Sequence, residues 1–130
     1  MWGAIRSLGV ERIGHGVRAI EDPKLVEYLA DKQVPLEVCP TSNLRTGVYR
    51  SYDEHPVRRL YEAGVPISIS TDDPTFFGTS LANEFEQLGK LGFSDSDLLD
   101  LLKNGFRHAF LDQHEVAAYV ARLAAPGSGQ

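Results

Sequence analysis

The chain has 130 residues, a formal net charge of −5, and 42% hydrophobic against 24% charged residues. That is one small domain with enough apolar material for a core, and it excludes wholesale disorder. The negative charge excludes a general phosphate-binding surface, so no nucleic-acid partner is expected.

Cys39 is the single cysteine. It has no internal disulfide partner, fits a reducing compartment and rules out a paired-cysteine zinc site. No window approaches the roughly 18 apolar residues of a membrane span. The first six residues lack the long apolar core of a signal peptide. A soluble, cytoplasmic chain without a membrane partner is the expectation.

The first strand is expected over residues 11–15, ending at Gly16. A helix follows, with Asp22 as N-cap, Pro23 in the first helical position and Leu25, Val26, Tyr28 and Leu29 as its apolar stripe. The second strand is expected over residues 34–39, closing on the loop-forming cluster Pro40, Thr41, Ser42 and Asn43. Residues 56–63 read as a helix, with Gly64 where a C′ glycine belongs. The third strand is expected over residues 65–70, running into Thr71, Asp72, Asp73 and Pro74.

Helices then dominate. Ser94 with Asp97, and Asp112 with Glu115, have the spacing of capping boxes. The Ala/Pro/Gly/Ser-rich residues 124–130 read as a flexible tail, leaving 1–123 as the folded part. Strands separated by crossover helices imply a parallel α/β sheet with right-handed connections.

Each strand ends in polar residues, and α/β folds bind ligands at the carboxyl ends of their strands. Parity places Ser68, Ser70 and Asp72 on one face of the third strand, and Ile13 with His15 on one face of the first. An imidazole and a carboxylate can thus converge on one crevice. Asp72 and Asp73 read either as a hard anionic ligand with a hydrogen-bonding neighbour or as a turn that caps the next helix. His15, between two glycines, reads either as a ligand-facing group or as a satisfied strand-end histidine. Cys39 reads as a buried strand-end residue, since the cysteine and histidine pattern of cytidine-type zinc deaminases is absent. His55 reads as a helix cap, and neither it nor His108 or His114 is assigned a site role.

Taken together, Arg12-Ile13-Gly14-His15-Gly16-Val17, Cys39-Pro40-Thr41-Ser42-Asn43, Ser70-Thr71-Asp72-Asp73-Pro74, Phe77-Gly78-Thr79-Ser80-Leu81 and Asn83-Glu84-Phe85 resemble the adenosine deaminase family, in order and in separation. The resemblance runs from about Glu11 to Leu111. It implies the carboxyl-terminal portion of a (β/α)8 barrel, about three βα units plus terminal helices. It implies one catalytic zinc and hydrolysis of the 6-amino group of a purine nucleoside, adenosine giving inosine and ammonia by attack of zinc-activated hydroxide at C6.

By position, Asp72 resembles the family's aspartate zinc ligand. His15 resembles the catalytic histidine that positions the hydroxide, and Asp73 the aspartate that hydrogen-bonds the purine at N7. Adenine deaminases, a sister group, tend to carry Asp where this chain has Gly14 and Ser where it has Thr71. The present residues therefore favour the nucleoside, with adenine as the alternative.

The family's His-x-His and His-Ala-Gly-Glu motifs have no counterpart here, and a whole barrel needs about 250 residues. Zinc needs three protein ligands, so the chain alone is expected to be inactive. A truncated product, a misplaced start or one part of a split enzyme would each account for it, with the remaining barrel segment as partner. A non-catalytic α/β interaction module is the reading from another class.

Overall fold

The computed structural model describes residues 1–124. Its architecture is α/β: a three-stranded parallel sheet, in the order β1 (Ile13–Gly14), β2 (Leu36–Val38), β3 (Ile67–Ile69), with helices before, between and after the strands. The helices are α1 (Trp2–Leu8), α2 (Pro23–Asp31), α3 (Pro40–Arg45), α4 (Val57–Glu62), α5 (Pro74–Phe77), α6 (Leu81–Lys90), α7 (Asp95–Arg107) and α8 (Gln113–Ala124). None is long and apolar enough to cross a membrane. The tail expected from Ala124 lies, from residue 125 onward, outside the described residues.

All three strands are shorter than their apolar runs suggest. Pro35 and Pro66 precede β2 and β3 and have no N–H for a ladder, yet their carbonyls accept from Ile13 and Leu36 at 3.0 Å each. The register, Ile13 opposite Leu36 and Leu36 opposite Ile67, follows from that pairing. At the other end, His15 N–H donates to the Glu37 carbonyl at 2.7 Å and Ser70 N–H to the Val38 carbonyl at 2.9 Å. The polar residues after β1 and β3 are therefore tied to the central strand by main-chain bonds.

The helix caps form as their sequence signals indicate. Asp22 accepts from the N–H groups of Lys24 and Leu25 and also from the Trp2 indole at 2.9 Å, which docks α1 on α2. Ser94 and Asp97 complete a reciprocal capping box. Gly64 adopts φ 84 just after α4.

The cluster Pro40 to Asn43 departs from expectation. It is the first turn of α3, not a loop. Pro40 suits the first helical position, and the buried Glu84 carboxylate, from α6, accepts the Thr41 N–H at 3.1 Å. A partner 43 residues away thus satisfies an end that Cys39 leaves uncapped.

The core lies between the sheet and its helices. Leu29, Leu36, Val38, Leu60, Ile67, Leu88 and Leu101 have no exposed surface, and burying each such side chain contributes roughly 1.5–3 kcal/mol. Leu36 also explains Gly16. A Cβ at that position would meet Leu36 Cδ2 at 2.7 Å, and φ there is +68. Only glycine lets the chain turn directly over the core after His15.

Candidate active site

His15 and Asp72 stand just beyond β1 and β3, on either side of the central strand. Their side chains come within 3.6 Å, Nε2 to Oδ2, each a little under half exposed. Beyond a good hydrogen-bond length, the two groups face a common space rather than saturating each other. The parity argument does not survive in its own terms, because Asp72 lies past the end of β3 at φ 59 and His15 past β1 at φ 56. Strand alternation has ended at both positions. Left-handed backbone, not strand phase, turns the two side chains together.

Such a conformation is uncommon outside glycine; Asp and His tolerate it better than most residues, yet keep it only where the surroundings hold it. Among the described residues only one other non-glycine, Gln33, adopts it. Two of three such positions fall at one cleft, and strain of this kind clusters at functional sites.

The segment after β2 supplies the support. Ser42 Oγ donates to Asp72 Oδ2 at 2.8 Å. Asn43 Nδ2 lies 3.3 Å from His15 Nδ1. Both residues are buried, in the first turns of α3. Behind them, His55 is buried as well, its Nε2 3.0 Å from Asn43 Oδ1 and its Nδ1 accepting the Val57 N–H at 3.2 Å. Burial pushes the His55 imidazole down to about 4, so it is neutral near pH 7. His15, Ser42, Asn43 and Asp72 line a cleft of about 440 Å3, together with the apolar Ile13, Val17 and Val48. That volume is in the range of small-molecule sites.

Asp73 does not line this cleft. Its Oδ1 accepts the Phe76 N–H at 2.8 Å and so caps α5, which is the turn reading of the pair; a carboxylate retains a second oxygen. Cys39 is buried, and its thiol is pushed up to about 12 by burial first and the Asp72 charge second, which makes it unreactive. His55 caps α4 as expected and in addition reaches Asn43. Sequence reasoning gave no site role to Ser42, Asn43 or His55. The available signal was three consecutive polar residues in a segment that must be buried between strand and helix, where each needs a partner.

Zinc is the metal these donors would have to hold. Asp72 can supply one anionic oxygen ligand, but the described residues contain no group of three His, Cys, Asp or Glu able to hold a metal ion. A catalytic zinc takes three protein ligands and an open position, so the residues present do not by themselves fit a complete site.

An imidazole and a carboxylate meet outside the carboxyl ends of the parallel strands, the side on which α/β barrels carry their active sites, and this chain matches the C-terminal part of a barrel amidohydrolase. The chain belongs to the adenosine deaminase family, whose model matches residues 1–126. It is 49% identical over 113 residues to the aminodeoxyfutalosine deaminase of Streptomyces coelicolor, covering 86% of this chain and 29% of that protein. It is 48% identical over 124 residues to the adenosine deaminase of Shewanella loihica, covering 94% and 38%.

Among solved structures, an adenine deaminase from Arthrobacter aurescens superposes with a TM-score of 0.91 at 35% identity, over 95% of this chain and 38% of its own. An amidohydrolase solved with bound Zn superposes with a TM-score of 0.83 at 30% identity, over 94% and 35%. The chain thus spans between about three-tenths and two-fifths of the length of these proteins.

Proposed function

We propose that this chain supplies the His15–Asp72–Asp73 side of the active site of a zinc-dependent hydrolytic deaminase acting on adenosine. The observation that carries the reading is the approach of His15 Nε2 to Asp72 Oδ2 at the strand ends, with both residues in left-handed backbone. Asp72 would be this chain's ligand to the metal, with the remaining ligands coming from barrel segments that the chain does not include. Bound zinc lowers the pKa of its water toward neutrality.

The chain's own groups do the rest of the arranging. Ser42 holds one oxygen of Asp72 in place, His15 aims Nε2 at the same space, and Asp73, fixed by α5, offers its free oxygen to a purine nitrogen. The cytoplasm is the compartment in which the single unpaired thiol fits.

Adenine is the second reading, supported by the 0.91 superposition on an adenine deaminase. Gly14 and Thr71 favour the nucleoside. Aminodeoxyfutalosine joins as a third candidate substrate on the 49% identity.

A hybrid decides among them, with this chain replacing the matching segment of the Shewanella loihica enzyme. Supplied with zinc, the hybrid is expected to release ammonia from adenosine faster than from adenine or aminodeoxyfutalosine. The 130-residue chain alone, with the same additions, is expected to release none. An inactive but folded hybrid, or preference for another of the three, defeats the adenosine reading.

A further inference from the structure

A chain of hydrogen bonds behind the cleft runs from a main-chain group to His15, and its direction is fixed at the far end. We propose that the Val57 N–H, acting through His55 and Asn43, sets the tautomer of His15, so that His15 presents a proton at Nε2, and not a lone pair, toward Asp72. Asn43 and His55 are positioning residues in this scheme, since neither lines up with Asp72 directly.

A backbone N–H only donates. It points at His55 Nδ1 at 3.2 Å, so that nitrogen accepts. A neutral imidazole has one donor and one acceptor nitrogen, which puts the proton of His55 on Nε2, 3.0 Å from Asn43 Oδ1. The Asn43 amide is thereby oriented: its oxygen is taken by His55, and its NH2 faces His15 Nδ1 at 3.3 Å. His15 Nδ1 must then accept, and the neutral ring carries its proton on Nε2, the atom nearest Asp72.

Three conditions keep the relay from reversing. His55 and Asn43 are each only 4% exposed, so water is not available to substitute for either partner. The depressed basicity of His55 follows from that burial. The His55 ring is also held by an edge-on contact with Tyr49 at 5.0 Å, which opposes a ring flip. On the deaminase reading, on which this last step rests, a donor at Nε2 makes His15 a hydrogen-bonding partner to oxygens in the cleft rather than a base toward them.

The test reads imidazole nitrogens by 15N NMR in the 130-residue chain labelled at histidine. Both His15 and His55 are expected in a single Nε2–H form. Averaged shifts, as for a free imidazole, or a proton on His15 Nδ1 overturn the proposal.

Asn43→Asp replaces the amide donor with an acceptor of the same shape, and a proton is expected to appear on His15 Nδ1. His55→Phe frees the Asn43 amide to turn over, so the single form of His15 is expected to be lost. His55→Gln keeps an N–H donor toward Asn43 and is expected to restore it. A folded His55→Phe chain with the unaltered His15 spectrum defeats the proposal, as does a His55→Gln chain that fails to restore it. These spectra need no turnover. A hybrid that is inactive with a locked His15 therefore counts against the deaminase reading alone, and an active one with an averaged His15 against the relay alone.

Discussion

Ile67 and Val38 have no exposed surface, whereas Asp72, three residues past the end of β3, and His15, next to the end of β1, keep 41% and 44% of their side chains in solvent. Over the same few residues the backbone changes from extended to left-handed. Below the rim, position is set by close packing, which is indifferent to which apolar residue fills the space so long as its volume is kept. At the rim, position is set by directed bonds from buried polar groups, Ser42 to Asp72 and Asn43 to His15. The core thus holds the strands in register, and the rim gives up local stability to aim two side chains.

The largest effect expected is on turnover. His15→Gln in the active hybrid is expected to lower kcat by about 10²–10⁴-fold, the range for losing a positioned proton-carrying group. Its urea midpoint should hardly move, because the side chain is half exposed. A parallel loss of stability would show that His15 belongs to the packing and not to the site. Leu36→Ala inverts the pattern. With no exposed surface, the residue leaves a cavity under both neighbouring strands, and a loss of about 2–5 kcal/mol is expected in urea unfolding.

His55 belongs to neither region alone, and its titration separates them. Its folded pKa, about 4, lies below the ordinary 6.5. Between these values the unfolded chain binds more protons, so stability rises with pH through this window. The contribution is complete above about pH 6.5 and is lost as pH falls toward 4, amounting to about 3 kcal/mol. Urea midpoints measured across this interval should show the slope in the unaltered chain and a clearly shallower one in His55→Gln. Equal slopes would place the acid sensitivity elsewhere.

The sequence made the scaffold legible where the causes are local. Asp22 before Pro23, Gly64 after α4 and the Ser94–Asp97 pair each act within one turn of themselves, and each does what its type predicts. Meeting of His15 with Asp72 was legible from topology, because parallel strands deliver their ends to one side. The helical state of Pro40 to Arg45 was not, since Thr, Ser and Asn favour turns locally while Glu84, 43 residues on, holds the helix end. The same holds for His55. Its capping of α4 is a local property, but its bond to Asn43 spans 12 residues through a fold that the spacing does not reveal.

The smallest effect bears on the strain itself. Gln33 shares the left-handed backbone of His15 and Asp72, at φ 52, but lies before β2, at the opposite end of the sheet. Its side chain bonds only main-chain carbonyls of Ala30 and Gly64. Asparagine tolerates this conformation better than glutamine does, whereas histidine is already among the tolerant types, so Asn relieves strain at Gln33 and not at His15. Gln33→Asn is expected to raise stability by roughly 0.5–1 kcal/mol and leave turnover of the hybrid unchanged. His15→Asn gains no such relief and takes away the ring nitrogen that the buried Asn43 amide bonds, so stability is expected to fall slightly while turnover falls as steeply as in His15→Gln. If Gln33→Asn destabilises the chain as much as His15→Asn does, the left-handed backbone at both positions is an ordinary turn held by its neighbours and does not mark the cleft.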